Sequence, residues 1–210
     1  GEEGSYRSNI TINTAGTYTV YYTVSAANHE TKSGTFTATI QQRNITVTLP
    51  NAEDNYGNWT IANMSSMLAS LTVQPEISGD FAGSLLRITL KLDGQLPESG
   101  YIPTGVYGIV GTASDEENYN ITWNNGKLTI GAVEIVVNDE GGATVVYDGA
   151  THSVADGNPS VTLTAGAQAS WTYSLTGADG SYRSELLLTE AGEYTVHYIV
   201  SAPNHASKSG

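Results

Sequence analysis

From Thr17 to Val24 the chain alternates. Tyr18, Val20, Tyr22 and Val24 fall on one side of an extended backbone, and Thr17, Thr19, Tyr21 and Thr23 on the other, because successive side chains of a strand point to opposite faces. The same period of two marks Ile45-Thr46-Val47-Thr48, Gly126-Lys127-Leu128-Thr129-Ile130 and Val133–Val137. Gly, Asn and Asp separate the runs. Asn124-Asn125-Gly126 and Tyr147-Asp148-Gly149 read as turns, since Gly and Asn tolerate positive φ. The pattern predicts an all-β chain of short, half-buried strands. One segment has another period: Ile61, Met64, Leu68 and Leu71 stand at helical spacing and predict a short helix crossing between sheets.

The chain repeats itself. Gly4–Gly34 and Gly180–Gly210 are identical at 19 of 31 positions, at an offset of 176 and without a gap. The differences are periodic. Tyr18, Val20, Tyr22 and Val24 return unchanged as Tyr194, Val196, Tyr198 and Val200, while three of the four residues on the opposite face differ. The unchanged face is expected to be core. A weaker copy lies between, where Thr104-Gly105-Val106-Tyr107 aligns with Ala15-Gly16-Thr17-Tyr18. Tyr18, Tyr107 and Tyr194 are spaced by 89 and 87 residues, the size of one immunoglobulin-like sandwich. Gly34–Ile40 and Gly126–Ile130 match as closing strands, each followed by a new β-run.

Junctions near 43 and 132 therefore divide the chain. Residues 1–43 are expected to be the C-terminal part of a truncated module, 44–131 a complete one, and 132–210 a module lacking its last strand. The linkers are too short for flexible tethers, which implies a semi-rigid rod. The fold expected is all-β: immunoglobulin-like Greek-key sandwiches of about seven strands, end to end.

Charge narrows the partners. Eight Lys and Arg against 21 acids give a net charge of -13. Nucleic acid needs a basic footprint, and an anionic membrane surface is disfavoured for the same reason; no stretch is apolar enough for insertion into a membrane. There is no Cys, so packing must hold each module without disulfides.

The residues at this point suggest a family. Ala-Gly-x-Tyr-x-Val, with Asn-Tyr-Asn-Ile-Thr-Trp-Asn-Asn-Gly-Lys-Leu-Thr-Ile over 118–130, resembles the MBG-type bacterial repeats. Val146-Tyr147-Asp148-Gly149-Ala150-Thr151-His152 is similar to the opening of related bacterial immunoglobulin-like modules. The resemblance implies tandem modules in large, secreted, adhesin-like proteins at the cell wall or cell surface. It specifies fold and hardly touches ligand. Trp59–Leu71 departs from it.

Candidate chemistry is sparse. Tyr18, Tyr107 and Tyr194, each in Gly-x-Tyr, are candidates for a structural tyrosine corner, in which the hydroxyl bonds to upstream backbone. They are expected to occupy equivalent buried positions. His29 and His205 are repeat equivalents in Asn-His pairs, and a catalytic base does not usually recur once per module. His29, His152, His197 and His205 show no zinc spacing. Asp115-Glu116-Glu117 and Asp139-Glu140 are the best calcium candidates, but neither has the calcium-loop spacing. Leu96-Pro97-Glu98-Ser99-Gly100 resembles a sorting signal, yet a strand pattern follows it. The opening strands 45–49 and 133–137 hold no Lys for an isopeptide crosslink. Asn9, Asn44, Asn58, Asn63 and Asn120 sit in glycosylation sequons. Trp59, Trp123 and Trp171 are either core or a carbohydrate-stacking platform.

The leading expectation is a non-enzymatic structural spacer or adhesion module of a secreted bacterial surface protein, with no cofactor and no metal. The alternative is a glycan- or host-protein-binding module of an adhesin or of a large extracellular hydrolase. Its partner is then an unknown extracellular protein or glycan. Head-to-tail self-association through the truncated ends is a further expectation.

Overall fold

The computed structural model describes residues 6–75, 87–98, 100–114 and 116–210. Gly4 and Ser5 of the first repeat copy, Ser99 of the sorting-like motif and Asp115 of the acidic run lie outside the described residues.

The first strands are β1 (Gly16–Val24) and β2 (Lys32–Ile40), an antiparallel hairpin in register from Gly16↔Ile40 to Val24↔Lys32. Next come β3 (Arg43–Thr48), β4 (Asn51–Asn55), β5 (Thr72–Gln74), β6 (Thr89–Leu92), β7 (Gly105–Thr112), β8 (Tyr119–Asn124) and β9 (Gly126–Gly131). They form a three-stranded sheet in the order β5-β3-β8 and a four-stranded sheet in the order β4-β9-β7-β6. β3 is parallel to β8, and β4 is parallel to β9. The remaining strands are short: β10 (Val133–Glu134), β11 (Val136–Asp139), β12 (His152–Ser153), β13 (Ser160–Thr162), β14 (Ser170–Ser174), β15 (Leu187–Leu188), β16 (His197–Ser201), β17 (His205–Ala206) and β18 (Lys208–Ser209). They pair as β10-β17, β11-β13, β12-β15 and β14-β16-β18. The chain is all-β, as its period-two pattern requires. Each ladder joins strands within 16–40, within 43–131 or within 133–209.

The described residues divide into two compact units. One draws on Gly1–Pro50, Met67–Lys91 and Ile109–Gly126, and the other on Asn51–Ser66, Leu92–Gly108 and Lys127–Gly210. In the first unit Ile45 and Val47 on β3, and Leu49 just beyond it, are buried at alternate positions. In the second, Leu128 and Ile130 do the same on β9. One buried face per strand is the signature of a packed layer. The second unit also holds a core of Ile135, Tyr173, Tyr198 and Val200, with Val137, Val161, Leu163, Trp171, Leu186 and Val196 packed against it.

Three expectations need correction. Gly126 does not open a hairpin turn. Only Asn125 separates β8 from β9, yet β8 lies beside β3, and β9 lies between β4 and β7. The chain changes sheet there, and the glycine is required by close approach: a Cβ would collide with the Pro50 carbonyl oxygen. Gly149, by contrast, has φ +78 in a true turn. Second, Ile61–Ser70 is helical but winds as a 3₁₀ helix. At three residues per turn, the inward row becomes Ile61, Met64 and Met67. Met67 is 4% exposed, in place of the Leu68 that a 3.6-residue period selects.

The third correction concerns the unchanged face of the repeat. In the second copy Tyr198 and Val200 turn inward, at 5% and 0% exposure, while Tyr194 on the same face is 39% exposed. In the first copy Tyr22 and Val24 are 42% and 60% exposed. β1 pairs with β2 alone, and a two-stranded ribbon has nothing of its own to cover an apolar face.

Candidate functional site

The three Gly-x-Tyr tyrosines make the same bond. The Tyr18 hydroxyl donates to the Thr14 carbonyl at 2.8 Å, Tyr107 to Pro103 at 2.9 Å, and Tyr194 to Glu190 at 3.0 Å. In each case the acceptor lies four residues upstream, so the ring folds back over the residues between. That explains the glycine. A Cβ at Gly16 or Gly105 would stand 3.2 Å from the phenol oxygen, tight enough to press on the ring, and at Gly192 3.4 Å, at the edge of ordinary contact. Burial is not equivalent, however: Tyr18 and Tyr107 are half-buried, whereas Tyr194 is 39% exposed. Burial holds the Tyr107 phenol above its usual range.

The residue just before each of the first two glycines is clamped by an asparagine from far along the chain. Asn118 Oδ1 accepts the Ala15 N–H at 2.7 Å. Asn204 Oδ1 accepts both the N–H and the hydroxyl of Thr104, at 3.0 and 3.2 Å. The backbone carbonyls of the same asparagines accept the first N–H of the next ladder: Arg43 to Asn118 at 2.9 Å, and Val133 to Asn204 at 3.3 Å. From there β3 runs parallel to β8, with Arg43↔Tyr119, and β10 runs parallel to β17, with Val133↔His205. Each asparagine therefore fixes the tyrosine corner of one stretch and the opening strand of the next.

Sequence reading drew attention to the histidines and passed over these asparagines. The signal was available in their spacing. Asn28, Asn118 and Asn204 follow their Gly-x-Tyr tyrosine by 10, 11 and 10 residues. Asn28 and Asn204 share a left-handed backbone, φ 65 and φ 62, which asparagine tolerates better than most residues.

The neighbouring histidines use one geometry in two settings. His29 Nδ1 bonds the Ala27 carbonyl at 2.8 Å and the ring is exposed. His205 Nδ1 bonds the Pro203 carbonyl at 2.7 Å, its Nε2 accepts the Thr164 N–H at 3.0 Å, and the residue is 8% exposed. A carbonyl can only accept, so the His205 ring is the neutral Nδ1–H tautomer with both nitrogens in use. Tyr56 packs edge-on against it at 5.9 Å.

The other candidates are dispersed. Trp59 donates its indole N–H to Asp54 at 3.0 Å. Trp123 packs on Gly111, where a Cβ would collide with it. Trp171 lies between Tyr173 and Tyr198, at 6.4 and 5.2 Å. All three rings are half-buried. The acidic runs have separate partners. The carbonyls of Glu116 and Glu117 accept from Gln42, Asp139 accepts the Gly141 N–H, and Glu140 accepts the Tyr198 hydroxyl. His152 Nε2 lies 3.1 Å from Asp148, whose carboxyl is held below the usual range by the Ala150 N–H first and His152 second. Among the described residues, no group of three or more His, Asp or Glu side chains converges to hold a metal. Leu96–Glu98 runs without regular structure between β6 and β7. No helix among the described residues is long and apolar enough to cross a membrane.

Residues 134–198 match the MBG domain family. The match spans the Tyr194 corner and most of the core around Tyr198. No curated protein and no solved structure matches the chain significantly.

Proposed function

We propose that this chain is a non-catalytic structural spacer or adhesion module of a secreted bacterial surface protein, made of segments 1–43, 44–131 and 132–210. The observation that carries the reading is the repeated asparagine clamp, Asn118 on Ala15 and Asn204 on Thr104. A spacer transmits position only if successive segments are fixed to one another. A side-chain oxygen that reaches 100 residues along the chain to a backbone N–H does that in a way that a flexible linker does not. The residues that recur once per segment have their polar atoms committed to backbone, which suits scaffolding better than chemistry. Three tryptophans with separate partners favour a spacer over a glycan-stacking platform. The match to the MBG family over 134–198 supports the surface setting.

The test is ¹⁵N relaxation of the whole chain. A spacer gives 44–131 and 132–210 one rotational correlation time, and Asn204→Ala separates them. Two correlation times in the unaltered chain would remove the basis of the proposal. A glycan array with strong, specific hits would move the reading to a binding module.

A further inference from the structure

His205 sits where the segment 132–210 meets residues 51–66, all within the second compact unit. Its Nδ1 bonds the Pro203 carbonyl at 2.7 Å, and its Nε2 accepts the Thr164 N–H at 3.0 Å. On the same ring Tyr56 rests edge-on at 5.9 Å, and Tyr101 rests edge-on against Tyr56 at 6.0 Å. Beside them Gly57 stands so close to Thr164 that a Cβ would collide with the threonine methyl. One imidazole thus holds the turn 164–166 and seats the Tyr56–Gly57 loop of the neighbouring segment.

Both ring nitrogens are in use, and only one of them can take a further proton. A carbonyl cannot donate, so Nδ1 already carries its hydrogen. The second proton of an imidazolium must go to Nε2, the atom that accepts from Thr164. It would set two N–H donors face to face at a residue 8% exposed, and the Thr164 N–H would lose its acceptor. The neutral and the charged ring therefore cannot keep the same place with the same partners.

The elements packed around His205 offer the charged ring no replacement. Thr164, Ala165 and Gly166 carry no titratable group. β10 sets Val133 opposite His205 and Glu134 opposite Ala206, so Glu134 shares the exposed face with Ala206. From residues 51–66 the facing group is the Tyr56 phenol, with Tyr101 behind it. The Asp54 carboxylate on β4 already accepts from the Asn58 amide, the Asn55 N–H and the Trp59 indole. Among the described residues no carboxylate forms an ion pair with His205. The first repeat copy has the same turn with its ring in solvent: His29 Nδ1 bonds the Ala27 carbonyl at 2.8 Å and the residue is exposed. The turn therefore forms without a buried Nε2 bond.

We propose that His205 is a proton-sensitive latch at this junction. With a neutral ring it ties Thr164 to the Asn204 turn and gives Tyr56 its seat. Once Nε2 takes a proton from solvent, the ring swings outward, as His29 stands, and frees the turn 164–166 and the Tyr56–Gly57 loop. The bonds from Asn204 to Thr104 and Val133 involve no titratable group and hold. Acid thus loosens the junction without dissolving it. The consequence for rigidity rests on the spacer reading; the loss of the Thr164 and Tyr56 contacts does not.

The experiment is NMR of the whole chain as the pH is lowered from about 8 to about 5, the range in which an imidazole gains its proton. The His205 ring nitrogens report protonation; the Thr164 amide protection factor and the Tyr56 ring signals report the contact. The variant His205→Gln is long enough to place an amide oxygen near the Nε2 position and takes no proton. In the unaltered chain Thr164 protection is expected to fall about tenfold or more in step with the His205 nitrogens. The Tyr56 signals should shift with it, while Thr104 stays protected. In His205→Gln neither Thr164 nor Tyr56 should respond. Three results would overturn the proposal: Thr164 protection unchanged once His205 is charged, a ring that stays neutral throughout, or a fall of the same size in the Gln variant. If that variant does not fold, the unaltered chain decides alone. Two rotational correlation times for 44–131 and 132–210 at neutral pH would remove the spacer reading and leave the latch to be judged on Thr164.

Discussion

The two copies of the long repeat share 19 of 31 residues and the same local geometry, yet they differ in burial. In the first, β1 pairs with β2 over Gly16–Ile40, Tyr18 and Val20 are half-buried, and Tyr22 and Val24 are exposed. In the second, Tyr198 and Val200 are covered, with Ile135, Tyr173 and Trp171 around them, while Tyr194 is 39% exposed. The tyrosine corner and the asparagine turn form in both. Local devices, set by residues a few positions apart, thus form whatever surrounds them. Burial depends on other strands and differs between nearly identical sequences.

The comparison is broken most severely at Tyr22 and Tyr198. Tyr198→Ala should cost about 3–5 kcal/mol, as aromatic truncation in a packed core does. Tyr22→Ala, at a residue 42% exposed, should cost about 1 kcal/mol or less. Urea unfolding of the two variants measures this, and equal losses would mean that the two faces are covered alike.

His205→Ala leaves the Thr164 N–H without its acceptor and should cost roughly 1–3 kcal/mol. His29→Ala, on an exposed turn, should change stability by less than about 0.5 kcal/mol. Thermal melts of this pair test whether the shared turn carries weight only where it meets a neighbour.

Removing a hydroxyl from each corner is a smaller change. Tyr18→Phe and Tyr107→Phe should each cost about 1 kcal/mol for one lost hydrogen bond, and Tyr194→Phe less, because water reaches its exposed ring. A larger loss at Tyr194 than at Tyr107 would contradict the burial found at the corners.

The smallest effect is alkaline. Burial, and then the Glu140 carboxylate, raise the Tyr198 phenol above its ordinary 10.0. A phenol whose folded value is raised contributes stability that is complete below the unfolded value and is lost as pH rises through the folded one. Stability should therefore fall more steeply above about pH 10 in the unaltered chain than in Tyr198→Phe. Parallel pH profiles would mean that Glu140 and burial do not act on this group.

How much of this was legible in sequence follows the same division. Period two gave the strands, and the recurring Gly-x-Tyr pointed to the corners, because both are local. The alternation marked both copies of the repeated face as core, and that holds for Tyr198 and Val200 but not for Tyr194, Tyr22 and Val24, since exposure depends on which other strands lie against each residue. Gly126 looked like a turn because composition cannot distinguish positive φ from close approach to Pro50. The 3₁₀ winding at Ile61–Ser70 shifted its inward row because i+3 and i+4 apolar spacings coexist in that stretch. The clamp by Asn118 and Asn204 was missed because it spans 103 and 100 residues; only the constant distance from tyrosine to asparagine hinted at it.

The central claim is that these asparagines fix successive segments, and amide hydrogen exchange at three equivalent positions tests it most directly. Ala15 and Thr104 precede their glycines and are clamped, whereas Ala191 precedes Gly192 and is exposed. The account predicts slow exchange at Ala15 and Thr104 and fast exchange at Ala191, with Asn118→Ala releasing Ala15 alone and Asn204→Ala releasing Thr104 alone. Equally fast exchange at all three, or protection of Ala15 and Thr104 that survives both substitutions, would contradict it.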